Sequence, residues 1–234
     1  MKLSLVIPAY NEEQRLGPFL QSIVDYDKNQ TTEIAEILVV DDGSQDATAG
    51  VAEKYARLLP KIRVLHHAVN QGKGAAVRSG VMAAQGDYVV FMDADGATPI
   101  AELPRMVAAL AEADIGVGSR WMEGAKTERH SPLRKLSGAV YRNYMSLFGL
   151  GEIDTMCGFK GYKKEVARDL FANLIEERWL FDAEIAYQAV RRGYTVKNFP
   201  ITWTSKDGSK LDTKTLIKTA FQIWPLINKI KNHA

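Results

Sequence analysis

Two aspartates, Asp93 and Asp95, directly follow the apolar run of residues 88–92. A run of this length and composition predicts a buried strand, so the i, i+2 spacing places both carboxylates at the strand's carboxyl end. Ligands of open α/β sheets bind at that edge. Carboxylate oxygens suit Mg²⁺ or Mn²⁺ when the ion also carries phosphate oxygens. The two aspartates are therefore candidate metal ligands, with solvated loop acids as the alternative.

Polar motifs also follow the earlier predicted strands. They are Pro8-Ala9-Tyr10-Asn11-Glu12 after the first strand and Asp41-Asp42-Gly43-Ser44 after the second. The loop of residues 70–74 (NQGKG) precedes a predicted helix, where glycines let backbone approach a ligand and Lys73 can neutralise phosphate. Neither G-x-x-x-x-G-K-[ST] nor G-x-G-x-x-G is present. Each motif alone has an ordinary reading as a turn, a helix entry or a packing contact, but their order on successive strands favours one shared site.

Regular alternation of strands and helices positions these motifs. Strands are predicted at 3–7, 36–40, 62–65, 88–92 and 115–118, and helices at 12–26, 46–59, 74–84 and 100–113. Such alternation predicts an α/β fold with a mostly parallel sheet that helices cover on both faces. The first strand is expected to stop at Pro8.

The alternation breaks after Arg120. A polar connection is expected over 121–132, followed by helices near 133–148, 163–174 and 182–192 and a strand near 195–202. We therefore expect residues 1–212 to form one domain. Residues 1–120 would be its nucleotide-binding half and residues 121–212 its acceptor half.

Composition excludes several classes of protein. The chain has 234 residues, 46% hydrophobic and 25% charged, with a net charge of +2, which is ordinary for a globular domain. Its basic residues form no extended stripe, so nucleic-acid binding is not expected. The single cysteine, Cys157, excludes an internal disulfide and is read as a packing residue. No signal peptide or bilayer-spanning apolar stretch is expected.

The carboxyl-terminal residues 213–234 form a separate candidate element. Apolar residues recur there at helical spacing, and lysines flank them. A basic amphipathic helix of this kind can lie in a membrane interface. The alternative is a helix that packs on the preceding domain.

The motifs together resemble a known family. The ordered series PAYNE, DDGS, NQGKG, DADG and GSR resembles the inverting family-2 glycosyltransferases of the GT-A fold. The later segments 154–160 (DTMCGFK), 181–184 (FDAE) and 208–211 (GSKL) are similar to the dolichyl-phosphate β-glucosyltransferases, with the dolichyl-phosphate mannose synthases next. The resemblance runs from Leu3 to about Leu226.

The resemblance implies an activity and alternatives to it. It implies metal-dependent inverting transfer of a hexose, glucose from UDP-glucose, to a polyprenyl phosphate, giving a β-linked product and requiring Mg²⁺ or Mn²⁺. The alternatives are mannosyl transfer from GDP-mannose and transfer to a saccharide hydroxyl. A catalytically silent nucleotide-sugar binding module is a further alternative, although both aspartates of its metal motif are intact.

The resemblance also implies donor-side site residues. Asp93 and Asp95 would be catalytic and would hold the metal. The position two residues after Asp95, where mannose synthases often have a further polar metal contact, is Ala97, so a third protein ligand stays open. The implied contacts to the nucleotide sugar are Pro8, Ala9, Tyr10, Glu12, Asp41, Asp42, Lys73, Ala94 and, from a mobile loop, Lys210.

The acceptor side follows from the charge of a phosphate. A polyprenyl phosphate is largely ionised near neutral pH, because its second pKa is about 6, so it needs positioning cations more than a base. Arg120 is the best candidate, since its planar fork suits phosphate. Arg134 and Lys135 are next, with a solvated basic face as the alternative. Asp154, Asp182 and Glu184 are candidate sugar contacts, or bases for a hydroxyl acceptor, while Asp154 could be structural and Asp182 a helix cap.

Location follows from the same resemblance. Eukaryotic glucosyltransferases of this type carry a membrane-spanning segment near the amino terminus, which this sequence lacks. We therefore expect a cytoplasmic enzyme that is peripheral on the inner face of a membrane and contacts it through the carboxyl-terminal helix. The oligomeric state stays open.

Overall fold

The computed structural model describes residues 1–29, 32–128, 140–206 and 222–231. The strands in these ranges are β1 (Leu3–Ala9), β2 (Ile34–Asp41), β3 (Ile62–His66), β4 (Tyr88–Met92), β5 (Ile115–Ser119), β6 (Lys126–Glu128), β7 (Phe159–Lys163), β8 (Val196–Pro200) and β9 (Thr202–Thr204). The helices are α1 (Glu13–Asn29), α2 (Thr48–Leu58), α3 (Lys73–Ala83), α4 (Leu103–Glu112), α5 (140–146), α6 (Lys164–Ala172), α7 (Phe181–Arg191) and α8 (222–231). A 3₁₀ turn, Ile100–Glu102, leads into α4.

The main sheet has seven strands in the order β3-β2-β1-β4-β7-β5-β8. All neighbouring pairs are parallel except those that β7 makes with β4 and β5. The predicted mostly parallel α/β sheet is therefore confirmed. Strand β7 was not predicted, and the single strand expected at 195–202 is two strands, of which β9 pairs with β6 in a small separate sheet.

Strand β1 continues past Pro8, contrary to the expected stop. Proline lacks the N–H that a central strand normally donates. On one side Pro8 aligns with Val40 of β2, but on the other side the pairing with β4 ends earlier, at Val6 and Phe91. Pro8 therefore lies where one edge of β1 is already free of the ladder, and the proline costs no hydrogen bond there.

Helices cover both faces of the sheet. One face carries α1, α2 and α4, whose apolar residues pack with Leu5, Ile7 and Val39. The other face carries α3, α5, α6, α7 and α8 around Val6, Phe91 and Tyr162. This double cover is what the sequence predicted.

Helix α8 belongs to the second of these layers. Its buried residues Ile223, Leu226, Ile227 and Ile230 are part of the core cluster that includes Phe91. Of the two readings of residues 213–234, packing on the domain therefore holds for the described part, 222–231. No helix in the described ranges is long and apolar enough to cross a bilayer.

Helix α3 approaches the sheet closely at Gly80. A Cβ at Gly80 would lie 2.3 Å from a methyl of Val6, whereas a Cβ at Gly50 of α2 would meet nothing within 4 Å. We expect Gly80→Ala to lower the free energy of unfolding by about 1–3 kcal/mol through overpacking. Gly50→Ala, the matched control, should raise it by about 0.4–1 kcal/mol. Urea denaturation of both variants measures this, and equal stabilities would contradict the close packing.

Candidate active site

The two aspartates after β4 lie at the carboxyl edge of the sheet, as predicted. The Asp93 amide donates to the Gly158 carbonyl at 3.0 Å, and its carboxylate lies 2.6 Å from the Lys73 ammonium. The Asp95 carboxylate accepts a hydrogen bond of 2.9 Å from the Ala97 amide. Both the backbone and the side chains of this loop are therefore held in place. The structure brings Lys73 to the pair, as the sequence indicated.

Like charges crowd this loop. Burial raises the pKa of Asp95, and the neighbouring carboxylate of Asp93 raises it further. Burial lowers the pKa of Lys73, but the effect of Asp93, Asp182 and Asp95 is larger, so its pKa is raised and the ammonium stays charged. A cation would favour the ionised form of Asp95, because an opposite charge close to a carboxylate lowers its pKa.

Asp93 and Asp95 fit a divalent metal whose other ligands come from the substrate and from water. No cluster of three or more His, Cys, Asp or Glu side chains with metal-ligand geometry occurs in the described part of the chain. Asp93 and Asp95 would thus provide two carboxylates, and phosphate and water would provide the rest, as Mg²⁺ prefers. Ala97 is buried and offers no side-chain oxygen.

Hydrogen bonds connect the loop after β1 to the segment that follows β2. Asn11 has a left-handed backbone with φ of 49°, and its amide donates to the Ser44 hydroxyl at 3.0 Å. The Gln45 amide donates back to the Asn11 side chain at 2.8 Å. The Glu12 amide donates to the Thr48 hydroxyl at 2.7 Å. The motif residues Pro8, Ala9, Tyr10, Glu12, Asp41 and Asp42 therefore meet along one edge of the sheet, where a nucleotide contact stays a prediction.

Asp42 has a structural task at this edge. Its buried carboxylate accepts hydrogen bonds from the Gln71 amide at 2.9 Å and the Gly72 amide at 2.8 Å. The Asn70 side chain donates to it at 2.8 Å, and the His67 ring lies 2.7 Å away. Asp42 thus organises the loop of residues 70–74, and direct contact with a nucleotide stays a prediction.

The glycines of that loop lie against the backbone of residues 176–178. The expectation that they let a ligand approach the backbone was therefore wrong. A Cβ at Gly72 would lie 2.5 Å from the Glu177 carbonyl, and one at Gly74 would lie 2.7 Å from the Glu176 carbonyl. The amide of Gly74 donates to the carbonyl of Arg178 at 3.1 Å. The first turn of α3 is therefore covered by residues 176–178, and the side chain of Lys73 reaches Asp93.

Arg120 follows β5 and is held by Asp154. Two side-chain nitrogens of Arg120 donate to the Asp154 carboxylate at 2.8 Å each, and the Arg120 amide donates at 3.2 Å. Its guanidinium also lies over the Trp203 ring at 5.4 Å. Asp154 is completely buried, so these contacts favour the structural role over a sugar contact.

The pKa shifts agree with that geometry. Burial alone would raise the pKa of Asp154, but the Arg120 guanidinium outweighs burial and lowers it. Burial lowers the pKa of Arg120 less than Asp154 raises it, and Asp93 contributes in the same direction. The orientation of the Arg120 guanidinium is therefore fixed, and the guanidinium lies within electrostatic reach of Asp93.

The carboxylates of Glu184 and Asp182 also bind other groups of the protein. The Glu184 carboxylate accepts from the amides of Ile175 at 3.0 Å and Glu176 at 2.7 Å and from the Gln188 side chain at 2.8 Å. The Asp182 carboxylate lies 3.1 Å from the Lys160 ammonium, and both side chains are buried. Burial raises the pKa of Asp182 more than Lys160 lowers it.

Cys157 lies between these groups but is inert. It is buried, and burial raises the pKa of its thiol to about 12. A thiol needs its thiolate form to act as a nucleophile. The remaining predicted site residues, Arg134, Lys135 and Lys210, lie outside the described residues.

Comparison with known proteins identifies the family. Residues 4–171 match the family model described as glycosyl transferase family 2. The chain belongs to this family. The transferase is 38% identical to a dolichyl-phosphate beta-glucosyltransferase of Trichomonas vaginalis over 94% of its own length and 69% of the relative. It is 35% identical to the dolichyl-phosphate beta-glucosyltransferase of Homo sapiens, and the match covers 90% of the transferase and 69% of the human protein.

A solved structure shows the same fold. Glucosyl-3-phosphoglycerate synthase from Mycobacterium tuberculosis, in complex with Mn²⁺, UDP and glucosyl-3-phosphoglycerate, matches the transferase with a TM-score of 0.68 and 19% identity. The match covers 95% of the transferase and 77% of that chain. The GT-A fold expected from the motifs is therefore confirmed.

Sequence reasoning missed two residues that contact the candidate site or support it. Gly158 contacts Asp93 so closely that a Cβ there would lie 1.9 Å from the carboxylate. Lys160 points into the core beneath both halves of the site, with its side chain 3% exposed. A prediction of strand β7 would have placed Lys160 on the inward face, beside Tyr162, since alternate residues share a face.

Gly158 provides a direct test of the aspartate pair. We expect Gly158→Ala to displace the Asp93 carboxylate and to lower transfer by roughly 100-fold, because a 1 Å misplacement can cost that much. Circular dichroism should show a folded protein. Gly50→Ala is the control and should retain full activity. Wild-type turnover of Gly158→Ala would show that Asp93 need not occupy its observed position.

Proposed function

We propose that the transferase moves glucose from UDP-glucose to a polyprenyl phosphate, with inversion to a β-linked product and with a divalent metal. The observation that carries the proposal is the Arg120 guanidinium, which lies within electrostatic reach of Asp93. Its Nε and Nη2 bind the buried Asp154 carboxylate, so a phosphate acceptor would contact the remaining nitrogen, Nη1, of a cation that is already oriented. The similarity to dolichyl-phosphate beta-glucosyltransferases supports the same acceptor and sugar.

The donor end rests on three side chains. Asp93 and Asp95 would hold Mg²⁺ or Mn²⁺, and Lys73 would add a positive charge beside the diphosphate. When bound, the metal supplies electrostatic stabilisation to the leaving nucleoside diphosphate. Lys73 stays protonated in this surrounding, because the nearby carboxylates outweigh its burial.

The acceptor end requires no proton transfer. A phosphate oxygen that is already ionised can attack the sugar directly, while Arg120 orients it. A saccharide hydroxyl would require a base, yet Asp154, Asp182 and Glu184 each bind a protein partner. Their engagement supports the phosphate acceptor over the hydroxyl acceptor.

The proposal is tested by a transfer assay with a short polyprenyl phosphate. UDP-glucose, UDP-galactose, UDP-GlcNAc and GDP-mannose are compared with Mg²⁺, Mn²⁺ or EDTA. We expect lipid-linked glucose from UDP-glucose only with metal, and a loss of about 100-fold or more in Asp95→Ala. A preference for GDP-mannose, or product formed on a saccharide and not on the lipid phosphate, would refute the proposal.

Two variants separate the acceptor readings within this assay. Arg120→Lys keeps the charge but cannot bind Asp154 with two nitrogens and still offer a third to the phosphate, so it should lower kcat/KM for the lipid phosphate about 10- to 100-fold. Glu184→Gln should keep turnover within roughly threefold at a temperature where it is folded, because removing a general base would cost 10²–10⁴. A larger loss in Glu184→Gln than in Arg120→Lys would favour a hydroxyl acceptor.

We infer that the transferase meets the membrane at an apolar surface formed by Val140, Tyr144, Leu147, Phe148 and Trp224, hereafter the α5–α8 surface. Val140, Leu147 and Trp224 are 62%, 75% and 61% exposed. The Phe148 ring contacts the rings of Tyr144 and Trp224 at 5.3 and 5.9 Å. Exposed apolar clusters of this kind mark interaction sites.

The position and charge of this surface fit a lipid bilayer. The exposed basic residues Arg142, Lys229 and Lys231 belong to the same two helices, α5 and α8. The Arg142 guanidinium lies 5.6 Å from the centre of the Trp121 ring. Trp121 directly follows Arg120 in the sequence. An anionic bilayer on the α5–α8 surface would therefore lie near the proposed phosphate site. A peripheral location on an inner membrane face stays a prediction.

Vesicle sedimentation tests the α5–α8 surface. We expect Leu147→Ser/Trp224→Ser to lower binding to phosphatidylglycerol-containing vesicles about tenfold or more, because each apolar side chain contributes about 1.5–3 kcal/mol when buried. Leu58→Ser removes a leucine on α2 that is also largely exposed, at 62% against 75% for Leu147, and should leave vesicle binding unchanged. Equal losses in both variants would indicate non-specific adhesion.

A further inference from the structure

Lys160 is a buried cation in the middle of the sheet. It lies on β7 and aligns with Phe91 of β4 on one side and Val117 of β5 on the other. Its side chain is 3% exposed, and its ammonium lies 5.5 Å from the centre of the Phe91 ring. A charge in such a place is costly unless it is paired and hydrogen-bonded. Its contacts therefore indicate what the charge is for.

The ammonium of Lys160 contacts one carboxylate and one loop. The carboxylate is that of Asp182, whose Oδ1 lies 3.1 Å from the ammonium. Among the residues that the structure describes, Lys160 is the group that compensates the burial of this oxygen. The loop contacts are the carbonyls of Thr155, at 3.5 Å, and of Cys157. Lys160 thus connects the first turn of α7 to the loop of residues 154–158, hereafter the bridging loop.

The bridging loop contacts both halves of the site. At its start, the Asp154 carboxylate accepts three hydrogen bonds from Arg120. At its end, the Gly158 carbonyl accepts a hydrogen bond from the Asp93 amide. The Asp93 carboxylate fits against Gly158 only because glycine has no Cβ. Any movement of this loop shifts the proposed acceptor cation relative to the proposed metal ligand.

We propose that Lys160 is a positioning residue, whose ammonium, anchored on Asp182, holds the bridging loop so that Arg120 and Asp93 keep a fixed distance during transfer. This inference rests on the proposed transfer reaction and adds a residue that touches neither substrate. Charge-assisted bonds to the carbonyls of Thr155 and Cys157 define the loop backbone more tightly than packing alone. Removing the ammonium should therefore loosen the loop while the sheet stays intact.

The test variant is Lys160→Met/Asp182→Asn. Methionine keeps the unbranched apolar stem, and asparagine keeps the shape of aspartate, so neither charge of the pair is left unpaired and we expect the protein to fold. Lys163→Met is the matched control. Lys163 lies on the same strand and pairs with Asp114 at 3.0 Å, away from the bridging loop. Lys160→Gln/Asp182→Asn is the second variant, for use where the methionine variant does not fold.

Amide hydrogen exchange measures the loop directly. The amides of Asp93, Arg120 and Cys157 are bonded to or within the bridging loop. We expect them to exchange at least about tenfold faster in the test variant, while the amides of β1 keep their wild-type rates. Lys163→Met should exchange as wild type does. Unchanged exchange at all three amides would overturn the proposal.

Kinetics provide the second readout. We expect kcat for transfer to fall roughly 100-fold in the test variant, and at least about tenfold in the glutamine variant, because misalignment by about 1 Å has such an effect. KM for the nucleotide sugar should stay within about threefold. A merely stabilising role would leave kcat unchanged below the melting temperature, and that result would overturn the proposal.

The two proposals fail in different ways. Wild-type protein that transfers no sugar to a polyprenyl phosphate, together with faster exchange in the test variant, would refute the proposed function and leave the hold of Lys160 on the loop standing. Wild-type transfer, together with unchanged exchange or unchanged kcat in the variants, would refute the role of Lys160 alone.

Discussion

The direction of strand β7 determines where the site can form. Because β7 runs antiparallel between β4 and β5, its first residue, Phe159, aligns with Met92 at the carboxyl end of β4. The bridging loop, which precedes Phe159, therefore lies at the same edge as Asp93. A parallel strand in this place would carry that loop to the opposite edge. Asp154 could then not reach Arg120, and Gly158 could not support Asp93.

The charges at this edge are unequal and close together. Asp93, Asp95, Asp154 and Asp182 face Lys73, Arg120 and Lys160. The pKa of Asp154 is lowered because Arg120 offsets its burial, whereas the pKa values of Asp95 and Asp182 are raised because burial prevails. The surplus of negative charge lies with the pair after β4. A divalent cation with its diphosphate fits where the protein's own cations do not suffice.

The sequence predicted the parts of the fold that depend on local pattern. Continuous apolar runs identified β1, β2 and β4. The loop after β4 identified Asp93 and Asp95, and the glycine-containing loop of residues 70–74, which follows β3, identified Lys73. Strand β7 escaped prediction because its residues, FKGYK, combine two lysines and a glycine and show no apolar run. Its pairing comes from neighbours distant in sequence. Asp154 stayed ambiguous for the same reason, since its partner Arg120 lies 34 residues away.

The cover on α3 has a consequence for how donors can be distinguished. Many phosphate-binding proteins bind the anion with the backbone amides of the first helical turn, so this binding depends on the backbone conformation. Here the carbonyls of residues 177 and 178 accept the amides of Ala75 and Gly74. These two amides are therefore not available to an anion, and the proposed contact of Lys73 with the diphosphate would come from its side chain. Side chains change by single substitutions, so donor preference can diverge on this scaffold while the backbone stays the same.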